Sequence, residues 1–115
     1  MSITPRIRQK LKERDLYCWH CGEDYELVVH HRRNRGSGGS KLLDHYQNLI
    51  MVCNRYNFEM ESMAQVAEQA RKDGHKLKSW QDFSEPVYDH MSGHWYVLQE
   101  NGTKTIAEES EGTIF

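Results

Sequence analysis

The chain has 115 residues, enough for one domain with a modest core and too few for two ordinary ones. No apolar run approaches the ~20 residues that cross a bilayer, and three cysteines are too few, and an odd number, for a disulfide scaffold. The formal net charge of −2 conceals an asymmetry, because residues 1–41 carry nine Lys/Arg against five acids and residues 73–115 carry three lysines against eight acids. Only the first of these stretches suits a polyanion.

The opening MSITPRIRQK lacks the apolar region of a secretory signal, so a soluble intracellular protein is expected. Thr4-Pro5 reads as an N-cap followed by a proline at the first helical position. Ile3, Ile7 and Leu11 then recur at four-residue intervals, with Arg6, Arg8, Lys10, Lys12 and Arg14 mostly around the other face. The pattern predicts a short helix ending near Asp15, its basic face either solvated or in contact with phosphate.

Cys18-Trp19-His20-Cys21-Gly22 is a knuckle: two thiolates at this spacing reach one tetrahedral Zn²⁺, and the glycine allows the tight turn. Cys53 is a candidate third sulfur, but the position that would complete a second knuckle holds Tyr56. The sequence leaves open three sulfurs with His20 or water, or small buried thiols with no metal.

Leu27–His31 reads as a strand; Arg32, Arg33 and Arg35 follow, then the loop Gly36-Ser37-Gly38-Gly39-Ser40. Asn48 precedes Leu49–Val52, a second apolar run of strand length. From about Arg55 to Lys72 helix formers dominate, and Gly74 sits where a helix would stop. Asn57 and Glu61 would lie one helical turn apart on one face.

Beyond Gly74 the chain becomes β-like. Val87-Tyr88, His94–Leu98 and Thr103–Ile106 are strand candidates, with Asn101-Gly102 as a hairpin turn. Trp80, Trp95 and Tyr96 are expected to be packing residues, because no basic residues interleave with them. His45, His75, His90 and His94 are expected to be ordinary surface histidines. The tail from Glu108 is acidic and without periodicity.

Two adjacent imidazoles at a strand end invite a division of labour, in which one ligates a metal and its neighbour deprotonates a water. The metal would stabilise the departing oxygen of a phosphodiester, and nearby arginines would grip phosphates through paired N–H groups.

C-x-x-C, V-H-H-R-R-x-R-G-x-G-G-S, then N-L-I-x-x-C before a helix resembles the HNH (ββα-metal) endonucleases, in the form found in small stand-alone bacteriophage proteins. The likeness runs from Arg14 to Gly102. It implies an α+β fold, a ββα-metal, treble-clef-like core with an N-terminal helix and a C-terminal β-hairpin extension. The expected organisation is one nuclease domain over residues 1–107 (core about 14–73, extension 74–107) and a flexible tail at 108–115.

The resemblance implies that His30 is a metal ligand, His31 the general base, and Asn48 the tether of the loop carrying the base. Asn57 falls at the second ligand position, where a histidine is usual. The resulting H-N-N pattern also occurs in active relatives such as phage Holliday-junction resolvases and the HNH domain of RNA-guided CRISPR nucleases. An amide ligand favours Mg²⁺ or Mn²⁺ over softer ions. Cys18, Cys21 and Cys53 would be three of four structural zinc ligands, and Arg32, Arg33 and Arg35 would contact DNA. The implied activity is hydrolysis of phosphodiester bonds in DNA by an endonuclease or nickase, with phage terminase or packaging proteins as partners and the host cytoplasm as location. A fold-retaining binding module that no longer cuts is the alternative.

Overall fold

The computed structural model describes residues 3–33 and 44–107. Arg35, the glycine-serine loop and the acidic tail from Glu108 lie outside the described residues. The described residues form three α-helices, one 3-10 turn (Tyr46–Asn48) and two small antiparallel sheets, an α+β fold.

Helix α1 spans Pro5–Arg14, capped by Thr4, whose hydroxyl accepts from the Ile7 N–H at 3.1 Å. Strand β1 (Leu27–His31) pairs antiparallel with β2 (Leu49–Cys53), Val28 opposite Val52 and His30 opposite Ile50. The two faces of this hairpin meet different partners. Leu49 and Met51 pack with Leu11, Ile3 and Ile7 of the α1 segment, while Ile50 and Val52 enter a larger core with Tyr56, Met60, Trp19 and Leu98. Cover on both faces explains why LIMVC is continuously apolar rather than alternating.

Helix α2 (Asn54–Ser62) follows directly, and α3 runs Ala64–Lys72. The single helix expected from Arg55 to Lys72 is therefore broken at Met63, whose φ −123° and ψ 117° are extended. A straight helix would carry Ala70 about 21 Å along its axis from Tyr56 at 1.5 Å per residue. The break instead returns Val66 and Ala70 to the core shared with Tyr56 and Met60. No proline or glycine marks the position, so packing sets it.

Helix α3 ends in a Schellman motif: His75 N–H bonds Ala70 O at 2.8 Å and Gly74 N–H bonds Arg71 O at 3.2 Å. Gly74 has φ +77°, and a Cβ there would collide with the Pro86 carbonyl.

The C-terminal part is larger than the hairpin expected: β3 (Val87–Asp89), β4 (His94–Leu98) and β5 (Lys104–Ile106) form a three-stranded meander. The knuckle joins the two sheets, because Trp19 N–H bonds Met51 O at 3.4 Å and His90 N–H bonds Trp19 O at 3.1 Å. Arg14, assigned above to the basic face, is buried instead, paired with Asp15 and bonded to the carbonyls of Tyr46 and Leu49. No helix among the described residues is long and apolar enough to cross a membrane.

Candidate metal centre and candidate active site

The knuckle and the start of α2 bring three sulfurs together. Donor atoms of Cys18, Cys21 and Cys53 all lie within 4.8 Å of one another, with Cys21 Sγ 3.3 Å from Cys53 Sγ. Among the described residues this is the one cluster of three such donors able to hold a metal ion. Backbone N–H groups are aimed at the sulfurs: His20 N–H at Cys18 and Tyr56 N–H at Cys53, both at 3.3 Å, with Glu23 supplying one to Cys21. Cys53 is also the N-cap of α2, where the helix dipole favours a thiolate. Burial pushes the Cys21 thiol up to about 12 and raises Cys53 as well, so without a cation these two stay protonated. A bound ion would replace those protons.

Tyr56, at the position that would complete a second knuckle, turns its hydroxyl to a histidine. Its hydroxyl lies 2.7 Å from His75 Nδ1, and its ring stacks on His20 at 4.0 Å. His20 Nδ1 is buried with no hydrogen-bond partner among the described residues, yet His20 lies outside the cluster of mutually close donors. Its pKa is lowered by burial, with His90 adding to the effect.

The expectation of surface histidines fails at His75, while His90 and His94 are exposed as expected. His75 is fully buried, held by Tyr56 and, through Nε2, by the Tyr88 carbonyl at 2.8 Å. His90 donates to Asp73 Oδ2 at 2.8 Å and lies 5.0 Å from the His20 ring. Residue spacing gave no hint of this cluster, because its members come from the knuckle, α2, the α3 terminus and β3.

At the end of β1 the pair separates. His30 is 4 % exposed on the face that meets α2, and its Nε2 donates to the His75 carbonyl at 2.9 Å. Burial lowers its pKa to about 3, so the ring is neutral. Its Nδ1 has no hydrogen-bond partner among the described residues. His31, opposite Leu49, leaves the other face, and its Nε2 meets Asp44 Oδ1 at 2.6 Å. Asp44 went unnoticed in the sequence, where it carries no motif. Asn48 is fully buried and bonds both polar backbone atoms of Arg33, Oδ1 to the N–H at 2.7 Å and Nδ2 to the carbonyl at 3.2 Å.

Asn57 is half-buried on α2. Glu61, one turn on, pairs with Lys76 at 3.5 Å, and that ammonium is close enough to His30 to disfavour its protonation. No hydrogen bond among the described residues joins His30, His31 and Asn57 to one another.

Arg32, expected to contact DNA, is committed within the fold. It is 1 % exposed, and its guanidinium donates to the carbonyls of Gly74, Gln47, Phe83 and Glu85, which ties β1 to the chain after α3. Arg33 is half-buried and reaches the carbonyls of Ser79 and Gln81, its guanidinium carbon 4.2 Å over the Phe83 ring.

The fold and site thus define an α+β protein with a cysteine cluster able to hold a metal ion beside a histidine network centred on the buried His75. Compared with family models, curated proteins and solved structures, the chain matches none.

Proposed function

We propose that this protein is a divalent-metal-dependent DNA endonuclease or nickase of the HNH kind, acting in phage genome processing or packaging. The reading rests on the motif order from Cys18 to Asn57, on a β-hairpin followed directly by a helix, and on Asn48 clamping the chain beyond the histidine pair. The observation that carries it is the His31–Asp44 contact. A carboxylate that accepts Nε2–H fixes the tautomer and leaves Nδ1 to take a proton.

In this reading His31 Nδ1 accepts a proton from water as the water oxygen bonds to phosphorus. The 3′ oxygen leaves with the bonding pair and is then protonated, giving 5′-phosphate and 3′-hydroxyl ends. His30, neutral and with Nδ1 uncommitted, would be one ligand, and the amide oxygen of Asn57, the other, biases the site towards a hard cation. Mg²⁺ or Mn²⁺ there would supply Lewis acidity at the phosphate. Zn²⁺ is the ion proposed for Cys18, Cys21 and Cys53, given thiolate donors aided by backbone N–H groups.

A second reading, a DNA- or terminase-binding module that does not cut, is favoured by the opposite facing of His30 and His31 on β1. Plasmid nicking with Mg²⁺ or Mn²⁺ decides between them. Under the first reading His31→Ala loses about 10²–10⁴ in rate, and Asp44→Asn loses part of that. Equal nicking by wild type and His31→Ala removes His31 as base. DNA binding with no cleavage under any divalent ion establishes the second reading.

A further inference from the structure

A groove runs between the last turn of α3 and the segment that follows it. One part, about 470 Å³, is lined by Arg71, Lys72, Lys78, Trp80 and Gln81, with Glu68 at its rim. A second part, about 300 Å³, shares Arg71, Lys72 and Gln81 and ends on Trp95 beside Glu85. Trp80 is 76 % exposed and so is not the packing residue expected from sequence, whereas Trp95, 41 % exposed, packs one side against the Tyr88 ring at 5.1 Å. Lys78 Nζ lies 5.4 Å over the Trp80 ring. Three cations thus flank an open indole in a protein whose net charge is negative. Sequence inspection missed the interleaving because Arg71 and Lys72 come from α3, and only the turn at Gly74 sets them beside Trp80.

The groove is also fixed to the end of β1. Arg33, two residues past His31, bonds the carbonyls of Ser79 and Gln81, and Arg33 pairs with Leu77 as a parallel bridge. We infer that this groove binds single-stranded nucleic acid, with a base stacked on Trp80 and phosphates on Arg71, Lys72 and Lys78. An exposed indole offers a π-face to any unpaired base, and the cations follow the backbone. A base within a duplex has no free face to offer. The inference deepens the nucleic-acid reading above, yet its test needs no cleavage.

The experiment is fluorescence anisotropy with a labelled thymidine oligonucleotide about fifteen nucleotides long, and with a duplex of equal length, in buffer without added divalent ions. Wild type should bind the single strand more tightly. Trp80→Ala should weaken that binding by about fivefold or more, with Trp80→Phe retaining most of it. Arg71→Gln with Lys72→Gln should reduce the salt slope by about 1.4. All three positions are exposed, so folding is not at issue. Equal binding by wild type and Trp80→Ala, or equal affinity for duplex and single strand, overturns the proposal. Loss of nicking in His31→Ala with binding intact leaves the groove standing. Nicking that persists while Trp80→Ala binds as wild type removes the groove alone.

Discussion

The Tyr56 hydroxyl donates to His75 Nδ1 at 2.7 Å, the direction being fixed because His75 Nε2 carries the proton given to the Tyr88 carbonyl. A residue at a metal-ligand position in the sequence pattern is therefore a strut between α2 and the end of α3. Replacing it with phenylalanine leaves a buried nitrogen without its donor. Tyr56→Phe should cost about 1–3 kcal/mol in urea unfolding, with metal content unchanged. Loss of the metal together with the hydroxyl would instead make Tyr56 part of the metal centre.

The same network sets an acid limit. Burial holds His30 at about 3 and His75 at about 4, so both are neutral when folded and take up protons on unfolding once pH falls below about 6.5. The unfolded state binds more protons in that window, so stability is full above it and falls as pH drops towards about 4. Each group contributes up to about 1.4 kcal/mol per pH unit. Urea midpoints at about pH 7.5, 6 and 5 give the slope, and a flat series would show that these imidazoles are not held neutral.

Arg32 separates structure from recognition. Arg32→Gln removes a guanidinium from four carbonyls in a buried site and should cost about 3 kcal/mol or more. DNA affinity per folded molecule should not change. A variant as stable as wild type but weak on DNA would restore the phosphate-binding role.

Gly74→Ala tests the turn that positions the groove. With φ +77° and the Pro86 carbonyl in the way of a Cβ, the substitution should destabilise by about 2 kcal/mol or more. It should also reduce oligonucleotide binding more than Trp80→Phe does, as the 78–81 segment shifts. Stability within about 0.5 kcal/mol of wild type would mean that the segment adapts freely.

Metal content follows the cysteines. Purified protein should carry about one zinc ion per chain, and Cys21→Ser should lower both occupancy and thermal stability. Strong chelation should release the ion and leave three free thiols, which a thiol reagent counts once the chain is unfolded. Full stability in a metal-free preparation would assign the three sulfurs to packing.

The first helix, the hairpin strands, the knuckle and the C-terminal strands were legible because each follows from local chemistry. Thr4-Pro5 caps a helix, the LIMVC run suits a strand covered on both faces, and Asn101-Gly102 turns a hairpin. The close approach of Cys53 to Cys18 and Cys21 was readable from residue type alone. Side-chain commitment was not. Whether an arginine meets solvent or four carbonyls depends on what packs over it. Arg32 and Arg33 are neighbours in sequence, yet one is fully enclosed and the other half-buried. The break at Met63, the burial of His75, the Asp44 partner of His31 and the basic walls around Trp80 all join residues from separate elements. Sequence fixes periodicity and turn chemistry over a few residues, whereas the environment of a polar group is set by chain that returns from elsewhere, and only the folded structure supplies that.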